Sequence, residues 1–299
     1  MKFAAIDIGT NAVRLLLSRV YQNGEYPIVK KESLVRIPIR LGEDVFSDGK
    51  ISDEKADNLV KTMIAYRYLI EAYGSLDYLA CATSAMREAA NGSEIVRAIK
   101  EESGIEVDII DGRREGEILL SGRPLQYMKK SKPYMFIDVG GGSTEISFYS
   151  DNYRKETRSF DIGGIRILKN MVNEKDWKDM KAWVKKVSRI YEPLTAVGSG
   201  GNINKLFRLA GKKDGEFISY KKISGIYAYL RGFTVEERIK KLHLRPDRAD
   251  VIIPASEIYL SAMKWAKCDK MMVPLVGLSD GLIHILYEKY QAGHDVKLP

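Results

Sequence analysis

The stretch that decides the reading is FIDVGGGSTEI, Phe136 to Ile146. An apolar run ends on an aspartate, three consecutive glycines follow, and two hydroxyl residues lead into a glutamate. A backbone that bare between two acids suits a ligand made of phosphates. Successive N–H groups in a tight turn cradle phosphate oxygens, and glycine admits a close approach that a Cβ would block. Asp138, like Asp7 near the start of the chain, then stands at a strand end where a hard cation would take oxygen ligands directly or through water. A single turn aspartate is ordinarily a local cap, so the reading depends on a second half of the site elsewhere in the chain.

That second half is near the N-terminus. FAAIDIGTNAVRLLL (Phe3 to Leu17) repeats the pattern of YMFIDVGGGSTEISF (Tyr134 to Phe148): Asp7 matches Asp138, Gly9 matches Gly140 and Leu15 matches Ile146. Each reads as strand, tight glycine turn, strand. A hairpin near the start of each half predicts a duplicated domain whose phosphate loops face one cleft. With 299 residues, two domains are the default, placed at 1–128 and 129–299 with Lys129–Pro133 as linker. The last helix, near 279–291, is expected to pack back on the first domain.

Periodicity fills in the rest. Helices are expected over Ser52–Tyr73, opened by an N-cap serine, over Asn91–Ser103 with Gly104 as stop, and over Glu115–Tyr127. Further helices are expected at 164–171, 174–190, 200–210, 220–230, 247–267 and 279–291. Strands are expected at Leu76–Ala82, Glu106–Ile110, 134–138, 144–149, 153–161 and 194–198. Strands alternating with helices place ligand loops at strand ends in α/β layers.

Composition bounds the function classes. Hydrophobic residues make up 45% and charged residues 29%, an ordinary globular balance. Cys81 and Cys268 are the only cysteines, which excludes a disulfide framework or a thiolate metal site. No apolar stretch reaches the ~20 residues of a membrane span, and Asp7 and Arg14 break the N-terminal run too early for a signal-peptide core. The expectation is a cytoplasmic protein with no membrane partner. A net charge of +8, with clusters at Arg113-Arg114 and Arg238–Lys241, favours polyanionic partners. No zinc-finger, basic-zipper or aromatic-interleaved RNA-binding pattern accompanies it, so no specific nucleic acid is expected.

Three further segments carry chemistry. AVGSGGNI (Ala196 to Ile203) brings Gly200 and Gly201 to a helix start suited to an anion. CATSAMREAAN (Cys81 to Asn91) offers the Thr83 and Ser84 hydroxyls to a phosphate and the Arg87 guanidinium to hold it bidentately; Ser84 serves equally as a plain N-cap. IIDGRREGEILL (Ile109 to Leu120) puts Glu115 and Glu117 at a helix start, where glutamates are ordinarily solvated and stabilised by the helix dipole. His243, His284 and His294 lie in unrelated contexts.

Together with IRLGE (Ile39 to Glu43), DIGGIR (Asp161 to Arg166) and RADVIIPA (Arg248 to Ala255), these segments resemble the exopolyphosphatase/guanosine-pentaphosphate phosphatase family. That family is a branch of the superfamily of actin, sugar kinases and Hsp70, and the resemblance runs over nearly the whole chain. It implies an α/β fold of two actin-like (ribonuclease H-like) domains with a cleft between them. The implied activity is release of terminal phosphate from inorganic polyphosphate or guanosine pentaphosphate (pppGpp), with Mg2+ or Mn2+ as cofactor. By the same resemblance Glu115 is the catalytic base with Arg87 beside it. Gly9, Thr10, Asn11, Thr83, Ser84, Gly140, Gly141, Gly142, Ser143, Gly200 and Gly201 bind phosphate, and Asp7, Asp138 and Glu145 hold the metal. A homodimer is compatible with it.

The chain departs from the family pattern at four places. Ala12 stands where serine is usual, Arg114 where a second acid is usual, Asn202 for threonine, and Ser279-Asp280 for Arg-Glu. Longer members add a helical C-terminal region of the HD type; without one, short polyphosphates are the expected substrates. Two rivals remain at this level: an ATP-dependent kinase of the same superfamily, and a non-catalytic nucleotide- or polyphosphate-binding regulator.

Overall fold

The strands Lys2–Ile8 (β1) and Tyr134–Val139 (β6) organise the chain, each at the centre of its own sheet. The structure, a computed structural model, describes residues 1–22, 27–122, 128, 132–150 and 153–293. Most of the expected linker lies outside them. The chain divides into two units, Met1–Arg123 with Gly277–Pro299, and Pro124–Val276.

In chain order the first unit contains β1, Val13–Tyr21 (β2), Ile28–Ile37 (β3), Leu41–Asp48 (α1), Asp53–Tyr73 (α2) and Asp77–Ala82 (β4). Ser84–Glu88 (α3), Gly92–Ser103 (α4), Asp108–Ile109 (β5) and Gly112–Ser121 (α5) follow. The second unit contains β6, Thr144–Ser150 (β7), Tyr153–Phe160 (β8), Gly164–Leu168 (α6), Glu174–Ser188 (α7), Thr195–Ser199 (β9) and Gly201–Leu209 (α8). It continues with Phe217–Ser219 (β10), Tyr220–Arg231 (α9), Val235–Lys240 (α10), Pro246–Ala249 (α11), Ile252–Trp265 (α12) and Lys270–Met272 (β11). Leu278–Gln291 (α13) returns to the first unit.

The first sheet runs β3-β2-β1-β4-β5. β1 is buried on both faces, which explains why it reads as a continuous apolar run rather than an alternation. On one face Phe3, Ala5 and Leu16 pack against Ile118 and Leu119 of α5 and Leu282 and Leu286 of α13. On the other, Tyr66 of α2 donates its hydroxyl to the Val13 and Val35 carbonyls at 3.2 and 3.3 Å. The second sheet runs β10-β11-β9-β6-β7-β8. Behind it Phe148 stacks on Tyr191 at 5.4 Å and meets Trp183 edge-on at 5.5 Å.

The two units repeat one topology. In each, a central strand pairs antiparallel with the second, which pairs antiparallel with a third, and the next long strand lies parallel to the first. Both are the α/β, actin-like arrangement expected, and the hairpins at Asp7 and Asp138 are as read.

Several elements differ from the sequence reading. α5 begins at Gly112 because the Asp111 carboxylate accepts from the Arg114 N–H at 2.7 Å and caps it. The expected Glu115–Tyr127 helix therefore starts a turn earlier and is described only to Ser121. The strand at 106–110 shrinks to Asp108–Ile109, paired to the end of β4. The single helix at 247–267 is two, broken at Asp250–Val251, with Pro254 in the first turn of α12 where its missing N–H is not needed. Ser52 occupies the N-cap of α2, yet its hydroxyl donates to Asp44 at 2.6 Å rather than to the helix.

Candidate active site

In the first unit the site residues gather at the C-terminal ends of β1 and β4, which lie side by side with Asp7 opposite Cys81. The β1–β2 turn is closed by the Gly9 N–H donating to the Ala12 carbonyl at 3.1 Å. Asp7 is buried, and Arg14, its cross-strand neighbour, donates to its carboxylate at 2.5 Å. The carboxylate at the expected metal position thus carries its own guanidinium partner. Ala12 is wholly buried, so the hydroxyl that serine would bring is absent from the interior of the turn.

Thr10, Thr83 and Ser84 are buried around this edge. The Ser84 hydroxyl donates to Glu88 at 2.8 Å, and one arm of the Arg87 guanidinium donates to the Ile110 carbonyl at 2.6 Å. Arg87 is therefore anchored to the segment that joins β5 to α5. Glu115, far from a solvated helix-start residue, is only 8% exposed. Burial first, and then the fields of Asp7 and Glu115, push the Cys81 thiol well above its ordinary range. Both carboxylates therefore act on the same buried strand end.

In the second unit the matching turn is closed by the Gly140 N–H donating to the Ser143 carbonyl at 2.9 Å. Asp138 and Glu145 face each other across the hairpin, with carboxylate oxygens within 4.8 Å of one another. Glu145 is 2% exposed and accepts from the Ser159 hydroxyl at 2.7 Å; Asp138 accepts from Ser199 at 2.7 Å. Two close carboxylates, one buried and one partly buried, repel unless something positive lies between them. An all-oxygen donor pair of this kind fits a hard divalent cation such as Mg2+ or Mn2+.

The β9–α8 junction completes this edge. Gly200 has φ +101°, and a Cβ there would stand 2.9 Å from Asp138 Oδ1 and 3.2 Å from the Tyr259 hydroxyl. Tyr259 donates that hydroxyl to the Ser199 carbonyl, and burial followed by the Asp138 charge raises the phenol well above its ordinary range. The guanidinium of Arg248 lies against Gly201, where a Cβ would meet its Nη2 at 2.5 Å.

Each unit thus gathers its own share of the expected residues: Asp7, Gly9–Asn11, Thr83, Ser84, Arg87 and Glu115 in the first, Asp138, Gly140–Ser143, Glu145, Gly200 and Gly201 in the second. Sequence reading did not single out Arg14, Ser159, Ser199, Arg248 or Tyr259. Arg14 had a usable signal, being the cross-strand partner of Asp7 in a hairpin already recognised. Ser159 and Tyr259 reach the site only through tertiary pairing, with no local cue.

Comparison with known proteins follows the same line. A family model described as the Ppx/GppA phosphatase family matches residues 22–289. Exopolyphosphatase 1 of Mycobacterium tuberculosis is 23% identical over 303 residues, covering 95% of this chain and 87% of its own. Exopolyphosphatase 2 of the same organism is 25% identical over 313 residues, covering 94% and 97%. Among solved structures, a Ppx/GppA family member from Aquifex aeolicus superposes with a TM-score of 0.76 at 26% identity over 99% of both chains. An exopolyphosphatase from Cytophaga hutchinsonii, at 23% identity over the whole of both chains, superposes with a TM-score of 0.82 and supports the fold.

Proposed function

The chain belongs to the Ppx/GppA phosphatase family and is a hydrolase of phosphoanhydrides, and we propose that it releases terminal orthophosphate from inorganic polyphosphate, pppGpp, or both. The observation that carries the reading is the duplicated glycine hairpin, each copy with an aspartate one residue before the end of its first strand and a turn closed by a glycine N–H. Phosphoryl transfer asks mainly for positioning and charge neutralisation, and each glycine hairpin offers backbone N–H groups to phosphate oxygens.

Asp138 and Glu145 would hold the divalent cation, which when bound neutralises charge on the phosphate oxygens. The buried glutamates divide the work. Glu145 is engaged with Ser159 beside Asp138, and Glu115, on α5, orients the attacking water and accepts its proton. Arg87, with one arm fixed on Ile110, keeps its remaining donors for the phosphate. Asp7, paired to Arg14, would be the first unit's metal carboxylate. No helix among the described residues is long and apolar enough to cross a membrane, and a cytoplasmic setting is part of the proposal.

Orthophosphate release measured across long polyphosphate, tripolyphosphate, pppGpp and ATP with Mg2+ tests this reading. Polyphosphate or pppGpp cleavage exceeding ATP cleavage is expected. ATP cleavage that rises only with an added phosphoryl acceptor, with polyphosphate inert, would favour the kinase rival, and no turnover of any substrate would favour the regulator.

A further inference from the structure

We propose that Arg166 is a positioning residue for the Gly140–Ser143 loop, setting the direction in which the loop's N–H groups point. The inference rests on the reading of that loop as a phosphate cradle. Arg166 is 7% exposed, and its Nε donates to the Gly142 carbonyl at 2.7 Å. Around it the start of α6 takes the neighbouring carbonyls. The Gly164 N–H donates to Gly140 at 3.0 Å, and those of Ile165 and Arg166 donate to Gly141 at 2.8 and 3.2 Å. Every carbonyl of the triple glycine is thereby held.

A trans peptide is rigid and planar, with its carbonyl and the next N–H on opposite sides. Fixing the carbonyls of Gly140, Gly141 and Gly142 therefore aims the N–H groups of Gly141, Gly142 and Ser143 the other way. Three consecutive glycines have no intrinsic preference for that arrangement, so it has to come from the neighbours. Arg166 governs the last of the three, the Ser143 N–H. In the first unit backbone donors take the matching carbonyls: Gly42 donates to the Thr10 carbonyl at 2.9 Å and Arg40 to that of Asn11 at 3.3 Å. In the second unit the third carbonyl is held by a buried side chain.

Two substitutions separate loop orientation from general stability. Arg166→Gln removes the guanidinium. Gly163→Ala keeps it but introduces a Cβ that would stand 2.4 Å from the Gly141 carbonyl oxygen, at an extended φ of −141° that alanine adopts freely. Both should raise KM for tripolyphosphate about tenfold or more with a smaller change in kcat, the pattern of lost uniform binding. Arg166→Lys, which keeps a donor within reach of Gly142, should recover part of the loss.

Direct titration with tripolyphosphate reads the same loss without turnover. Wild-type protein that binds but releases no orthophosphate would count against the proposed function, while the contrast between wild type and variants would still judge the loop. Unchanged tripolyphosphate affinity and KM in either folded variant would overturn the proposal.

Discussion

Gly200→Ala joins the fold and the chemistry at one atom. The residue has φ +101° and ψ 162°, a region open essentially to glycine, and holding alanine there costs on the order of 1–3 kcal/mol. Its Cβ would also stand 2.9 Å from Asp138 Oδ1, the oxygen that accepts from Ser199. Displacing that carboxylate loses a hydrogen bond worth about 1 kcal/mol. The sum, roughly 2–4 kcal/mol, corresponds to a fall in Tm of about 3–6 °C for a chain of this size. Gly211→Ala is the control, with φ +71° and nothing within 4 Å of its Cβ. It should show only the backbone cost, about 1–2 kcal/mol. Calorimetric melting and a Mg2+ titration of orthophosphate release read both effects. Gly200→Ala should melt lower than the control and require more Mg2+. A Tm within 2 °C of wild type, or an unchanged Mg2+ requirement, would refute the coupling of this turn to a metal carboxylate.

Three other outcomes follow from particular contacts. Gly281→Ala, whose Cβ would stand 2.0 Å from the Ile118 carbonyl oxygen, should force α13 off α5 and cost about 1–3 kcal/mol; urea denaturation with an unchanged midpoint would contradict that packing. Burial raises the Cys81 thiol, and raises that of Cys268 to about 12, so neither thiolate forms readily in the folded protein. Both should resist a thiol reagent at pH 8 and react in denaturant, and stability should fall as pH rises from the ordinary thiol pKa of about 8.5 toward 12; rapid native labelling would disprove it. Polyphosphate affinity should weaken as salt rises, because the +8 charge acts largely through exposed cations screened beyond ~8 Å at physiological ionic strength; a salt-independent KM would speak against a charge-steered polyanion.

The glycine hairpins were legible because their signal is local: an apolar run, an aspartate and a turn within fifteen residues. β3 was not foreseen. It is an edge strand whose KKES centre is exposed, and an edge needs no apolar alternation to hold its place. α1 was missed for a different reason. It is eight residues long and opens on Arg40 at φ +58°, a conformation that no sequence pattern marks for arginine. The extension of the repeat to a third strand and a carbonyl-capping helix rests on hydrogen bonds between residues distant in sequence, which periodicity does not report. Burial of Glu115 was equally hidden, since a glutamate in a helix's first turn reads as solvated whether or not another layer covers it. The candidate site residues were legible largely as motif, and the engagement of Asp7, Glu145 and Asp138 with Arg14, Ser159 and Ser199 was not.

The central claim is that water, held by Glu115, cleaves a phosphoanhydride. The most direct measurement is the initial rate of orthophosphate release from the best substrate at saturating Mg2+, for wild type and Glu115→Gln, in water enriched in oxygen-18. Wild type should place one labelled oxygen in each released orthophosphate. Glu115→Gln, which keeps the side chain's shape without its base, should lower kcat by about 10²–10⁴-fold while tripolyphosphate still binds. Turnover by Glu115→Gln at the wild-type rate, or orthophosphate released without the label, would contradict the account.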